Sequence, residues 1–396
     1  MLLPTVLITV PRHALSYPLY GLSCALLIDY RATNKRPYFI LSGIIIWLSA
    51  TYLVLLSQRS LSPTAFFLEL VLILPLLAFL SGFTFTRSNA LTSIRLINLI
   101  CLIYGMISLV EHGFPLKLPY RDFLSDAYWG PYGWGGARIV TIFGFTGVLL
   151  EISAASLGKQ HRIWLLLAFA NFIAPSYIMG MVCGLAALLL VARKRPWPIL
   201  TLCILLIPAG LFALGRLEHV NPSIAGPATW HPKILAYMLV LDLFSQETLN
   251  LVTGTGLGQF TSTPQLWASE ALRAKSYQPI PSLPGLFNSE LHLAYVEPVI
   301  DSIKQASFRM GSALSKPFAG FATLLSEVGL LFLLFAYLFL KRSREICTRN
   351  IMALPFFVFF VSLNMVDMWI DNLWLGYCLM LTTGFFATPK GNKHCS

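Results

Sequence analysis

Apolar and polar positions alternate on a long wavelength in this chain. Runs of about 20 apolar residues are separated by short polar turns, until one polar stretch intervenes from Arg216 to Lys316. A hydrocarbon core about 30 Å thick is crossed by about 20 residues of helix, so runs of this length predict membrane spans. They fall at about 14–30, 38–57, 65–86, 94–111, 139–158, 162–175, 177–193, 197–215, 317–340, 350–366 and 370–387. The pattern predicts an all-α, polytopic membrane helical bundle of about 11 transmembrane helices, with one large loop between spans 8 and 9. Three parts follow: an N-terminal bundle over 1–215, the loop over 216–316, and C-terminal helices with a short tail over 317–396. Span 162–175 is short and ends at Ala174-Pro175, which predicts a broken or tilted helix tolerated only where protein surrounds it.

Composition agrees and narrows the field. The chain is 56% hydrophobic and 11% charged, which excludes an ordinary soluble domain. A net charge of +11 would suggest a nucleic-acid partner in a soluble protein. Here the bases sit in short turns, so no nucleic acid is expected. Arg31, Lys35 and Arg36, then Arg87, Lys159, Arg162, Arg193, Lys194 and Arg195 follow odd-numbered spans, as do Lys341, Arg342, Arg344, Arg349, Lys390 and Lys393. Turns after even-numbered spans are nearly free of bases, Arg59 being the main exception. The positive-inside rule then puts the odd-side turns and the C-terminus in the cytoplasm and the long loop outside. The N-terminus lies outside, or Leu2 to Val10 forms a truncated extra helix. Pro11, Arg12 and His13 interrupt that first run, so a cleavable signal peptide is not expected. None of the seven cysteines lies in the loop and no pair has metal-ligand spacing, so neither metal nor disulfide framework is expected. They read as small packing residues.

Two outward segments carry the candidate chemistry. The stretch 112–138 is dense in rings and glycine, with Tyr128, Trp129, Tyr132 and Trp134 among Gly130, Gly133, Gly135 and Gly136. Such rings form an interfacial aromatic belt, a platform for stacking sugar rings, or both. In the long loop, Ile234, Leu235, Met238, Leu239, Leu241 and Leu243 alternate with Lys233, Asp242, Gln246 and Glu247, which predicts an amphipathic helix. It runs into Gly254-Thr255-Gly256-Leu257-Gly258-Gln259-Phe260, a tight turn whose N–H groups can face an anion or which is simply a bend. No strand precedes it, so a dinucleotide site is not expected. The loop's charges balance, which argues against a polyanion surface.

Ionisable groups within spans are functional candidates by default. Glu327 lies about 15 Å into its span and Glu151 at similar depth. Both are expected to pair with bases and hold the bundle in register, whereas Arg95, near a span start, is expected to snorkel. Arg138 and Lys316 stand at outer span mouths, where they either anchor the interface or meet a lipid-linked phosphate. Pro317 makes Lys316 the residue before a helix start whose dipole also favours anions.

The order of these parts resembles the O-antigen polymerase and ligase superfamily. The resemblance rests on Gly254, Gly256, Gly258, Gln259 and Phe260, followed by Ser315, Lys316, Pro317, Phe318, Leu324, Glu327, Gly329 and Leu330. It implies an inverting, metal-independent, cofactor-free glycosyltransferase of the multispan (GT-C-like) class in a bacterial inner membrane, with its long loop periplasmic. The implied substrates are oligosaccharides on undecaprenyl diphosphate within the lipid bilayer, and a chain-length regulator and a flippase are the implied partners. Carried over by resemblance, Arg138 and Arg216 hold the diphosphate, with Lys233 and Lys316 in addition. Gly256, Gly258, Tyr128, Trp129 and Trp134 are assigned to substrate binding. Ligases carry a His-Asn pair ahead of the last motif's Glu, where this chain has Phe318 and Ala319, so the polymerase is favoured. The general base stays open among His292, Glu290 and His231 on chemical grounds. The alternatives are a ligase that transfers onto lipid A-core and a transporter or flippase of the same glycolipid. Transporters often show inverted repeats, and none is visible here.

Overall fold

The structure, a computed structural model, describes residues 2–10, 16–29, 35–85, 90–111, 130–132, 136–155, 162–175, 177–192, 240–245, 248–261, 264–265, 289–298, 320–366 and 372–387. Span 197–215 lies outside the described residues, as do Tyr128, Trp129, Trp134, Arg216, His231, Lys233 and Lys316. The described chain is helical, with a single isolated bridge between Ile28 and Phe85. Its helices are α1 (Leu2–Ile8), α2 (Ser16–Ala25), α3 (Arg36–Leu56), α4 (Pro63–Ser81), α5 (Ala90–Glu111), α6 (Ala137–Ala155), α7 (Arg162–Ile173), α8 (Ile178–Ala192), α9 (Thr248–Thr253), α10 (Gly320–Val328), α11 (Leu331–Arg349), α12 (Leu354–Val366) and α13 (Leu373–Phe386).

Four of these, α3 to α6, are long and apolar enough to cross a membrane. Their burial sorts them. Only 22% of the apolar window of α3 is buried, and Phe39, Ile46, Trp47 and Leu53 project outward, as a lipid-facing helix requires. The α6 window is 94% buried, which makes α6 the axis of the bundle. Small residues bring its neighbour close. A Cβ on Gly144 would lie 2.3 Å from the backbone nitrogen of Phe172, so α7 packs backbone to backbone on α6. Cys24, Cys101, Cys183 and Cys378 are buried, in keeping with packing roles.

Local chemistry places the helix ends. Ser62 caps α4 by accepting from the Ala65 N–H at 3.1 Å, and Pro63 occupies the first turn, where no N–H is missed. Gly82, at φ 88°, stops the same helix in the left-handed conformation. Near that end Asp29 N–H donates to the Thr84 carbonyl, and Arg342 of α11 reaches the carbonyls of Gly82 and Phe83. The chain just after α2, the end of α4 and the second half of α11 therefore lie together.

Three helices depart from the expected spans. The short α7 has 12 residues and rises about 18 Å, too little to cross alone, in line with the broken helix expected there. Leu2–Ile8 is a helix in its own right, packed on α2: Ser23 Oγ donates to the Pro4 carbonyl at 2.7 Å. The expected continuous span 317–340 is interrupted. It divides at Gly329, whose φ of 56° ends α10, and α11 restarts at Leu331. A break in an apolar segment frees backbone groups that need partners, and the long loop supplies them.

Candidate functional site

The break at Gly329 leaves the last carbonyls of α10 without intrahelical donors. They are capped from a segment some 70 residues earlier in sequence. Thr255 N–H donates to the Ser326 carbonyl at 2.8 Å and Gly256 N–H to the Glu327 carbonyl at 3.2 Å. In return Leu330 N–H donates to the Leu251 carbonyl at 2.9 Å. Gly254, at φ 71°, makes this approach possible: a Cβ there would stand 2.3 Å from the Glu327 carbonyl oxygen.

Glu327 is 1% exposed and sits at the C-terminal end of α10, where the helix dipole opposes a carboxylate. The turn compensates. Gly258 N–H donates to Oε2 at 2.7 Å and Phe260 N–H to Oε1 at 3.0 Å. The anion faced by the glycine turn is this chain's own side chain. The N–H groups of Gly256 and Gly258 are both engaged by Glu327, so these glycines shape the turn rather than grip a diphosphate. A backbone cradle holds this carboxylate.

Around the turn lies a buried polar layer. Gln259 pairs like a strand with Ser62, its Oε1 accepting from the Ser62 N–H at 2.8 Å and its Nε2 donating to the Ser62 carbonyl at 2.9 Å. Gln265 Nε2 donates to the Gly258 carbonyl at 2.7 Å, and its Oε1 accepts from Ser289 N–H at 3.3 Å. Ser289 Oγ donates to the Gln259 carbonyl and accepts from His292 N–H at 3.2 Å. Thr261 and Thr323 join hydroxyls at 2.7 Å. The layer docks on the α3–α4 turn by further bonds: Arg59 Nη1 donates to Asn250 Oδ1 at 3.0 Å, and Glu290 N–H donates to the Ser60 carbonyl at 3.2 Å. Arg59, the exception in the pattern of basic turns, is thus a tether for the loop.

Of the residues expected from sequence, the structure brings Gly256, Gly258, Glu290, His292 and Glu327 together. His292 is fully buried, its Nδ1 donating to the Phe260 carbonyl at 2.6 Å and its Nε2 3.3 Å from Glu297 Oε2. Glu290 is exposed and its carboxylate accepts from Ser60 N–H at 3.4 Å. Arg138 lies elsewhere, at the start of α6, with its guanidinium 5.6 Å from the ring centre of Tyr177. Glu151 pairs with Arg95 as expected of a buried acid. Arg95 Nη2 donates to Oε2 at 2.9 Å, with a second bond from Nε to Oε1, and the guanidinium lies over Trp164. The expectation that Arg95 snorkels is therefore corrected: a carboxylate on the neighbouring helix draws it inward. Gln265, Ser289, Asn250 and Glu297 were not singled out, because nothing in their local sequence marks them.

No protein-family model, curated protein or solved structure matches the chain.

Proposed function

We propose that this chain is a polysaccharide polymerase that transfers a growing glycan from undecaprenyl diphosphate to a lipid-linked repeat unit at the periplasmic face of a bacterial inner membrane. In this reading the chain has about 11 spans, the loop is periplasmic and the C-terminus cytoplasmic. One observation carries it. The two stretches on which the family resemblance rests, Gly254–Phe260 and Glu327–Gly329, interlock through backbone bonds and a cradled carboxylate. Motifs weak in sequence gain weight when they complete one another in space.

The chemistry follows from the reading. Cationic groups at the outer rim, Arg138 and Arg216 with Lys233 and Lys316, offset the charge that builds on the leaving diphosphate. The acceptor hydroxyl attacks the anomeric carbon from the opposite face, and a base near the interlocked turn takes its proton. The test is purified protein in vesicles with lipid-linked repeat units alone. A ladder of products supports the polymerase, and Arg138→Ala or Arg216→Ala should abolish it while the protein still inserts. Transfer only onto added lipid A-core would replace the reading with a ligase. Transbilayer movement without transfer would replace it with a transporter.

A further inference from the structure

Residues 289–298 contain a device outside the motifs of the resemblance. His292–Val296 forms a π-turn, in which Glu297 N–H donates to the His292 carbonyl. In an α-helix, residues five apart point about 140° away from each other. Widening the turn to a five-residue bond swings them onto one face, and such π-bulges are frequent at functional sites. The outcome here is specific: His292 Nε2 stands 3.3 Å from Glu297 Oε2.

The two ends of this couple differ. The imidazole is wholly buried, whereas the Glu297 side chain keeps 14% exposure with its Oε2 turned inward. A carbonyl can only accept, so the bond to Phe260 fixes the proton on Nδ1 and leaves Nε2 facing the carboxylate. The N–H of Phe260 donates to Glu327 Oε1 at 3.0 Å, which anchors the residue whose carbonyl orients the ring. Among the described residues, the nearby charged groups are Glu290, whose carboxylate accepts from Ser60 N–H, and Arg59, which donates to Asn250 Oδ1.

We infer that Glu297 and His292 form one proton-sharing couple whose outer member, Glu297, meets the acceptor hydroxyl, with His292 as its positioning residue. This rests on the polymerase reading and revises the choice of base made from sequence. In the step, the hydroxyl O–H bond breaks as its oxygen bonds to the anomeric carbon. The anomeric C–O bond to the diphosphate breaks, and its electron pair leaves with undecaprenyl diphosphate. The proton passes to Glu297, is shared with His292, and returns to water from the exposed side.

The experiment uses the full chain in lipid nanodiscs with isotope-labelled histidine, the His292 signal being assigned by its loss in His292→Gln. Glu297→Gln is expected to move the His292 Nε2 resonance, because the group facing that nitrogen changes from a carboxylate to an amide. Glu297→Asp should keep most of the wild-type resonance position. In the ladder assay Glu297→Gln should reduce kcat about 100-fold with KM within about twofold. An unchanged His292 Nε2 resonance in Glu297→Gln overturns the couple whatever the activity. An unchanged kcat overturns the role of Glu297. A wild-type protein that makes no ladder sinks the polymerase reading, and the resonance still decides the couple.

Discussion

Glu151 and Glu327 are each 1% exposed, yet the protein accommodates them by opposite means. Glu151 is met by a charged side chain, the two-pronged guanidinium of Arg95 on α5. Glu327 is met by two backbone N–H groups of a distant turn. A side-chain partner can be deleted, so the Glu151 pair is a removable unit that ties α5 to α6. Backbone partners cannot be deleted without refolding the turn, so the Glu327 cradle makes the break between α10 and α11 and the glycine turn depend on each other. The first device stabilises a bundle; the second couples two regions.

The sharpest way to break this comparison is Gly254→Ala. The new Cβ would sit 2.3 Å from the Glu327 carbonyl oxygen and 2.6 Å from Val328 N, in a left-handed conformation that alanine disfavours. Both obstacles are backbone, so neither can step aside. The expected loss exceeds about 4 kcal/mol, read as a collapse of the thermal unfolding midpoint in detergent. A wild-type midpoint would show that the interlock is dispensable. Next in size is Arg95→Leu, which leaves Glu151 charged and buried at a cost of about 3–5 kcal/mol. The double variant Arg95→Leu, Glu151→Leu should recover most of that loss. If the double variant is as unstable as the single one, the pair is not a separable unit.

These outcomes bear on what the amino-acid pattern could and could not reveal. The spans of α3 to α6 were legible because each is a long apolar run bounded by proline, glycine or charge. The break at Gly329 was not, because a glycine within an apolar run is tolerated in many helices and its left-handed turn depends on Leu251 and Gly256 from another segment. The glycine turn, Glu327 and His292 were each visible as candidates. Their meeting was not, since Gly258 and Glu327 are 69 residues apart and one partner is a backbone N–H, identical in every non-proline residue. Arg95 was misread for the same reason: its depth follows from Glu151, 56 residues on. Glu297 stayed hidden because five-residue spacing joins side chains only in a π-turn.

Glu327→Gln probes the cradle without disturbing the turn's glycines. The amide keeps one acceptor for Phe260 or Gly258 but points its NH₂ at the other N–H, so a donor meets a donor. The expected loss is about 1.5–3 kcal/mol, with the interlock loosened rather than abolished. An unchanged unfolding midpoint would mean that the cradle's bonds to this carboxylate add nothing to stability.

The smallest effect tests the outer tether. Arg59→Met keeps the apolar stem but removes the donor to Asn250 Oδ1, whose residue is 1% exposed. About 1 kcal/mol is at stake for the bond to Asn250, because the Gln259–Ser62 pair still docks the loop. A global unfolding midpoint would barely register it. Amide hydrogen exchange separates the cases, since local opening reports at the segment that moves. Faster exchange at residues 250–260 with unchanged exchange in α6 would place the tether on the loop alone. Equal acceleration in both would mean that the loop and the bundle axis open together, and the division between removable pair and coupling cradle would no longer hold.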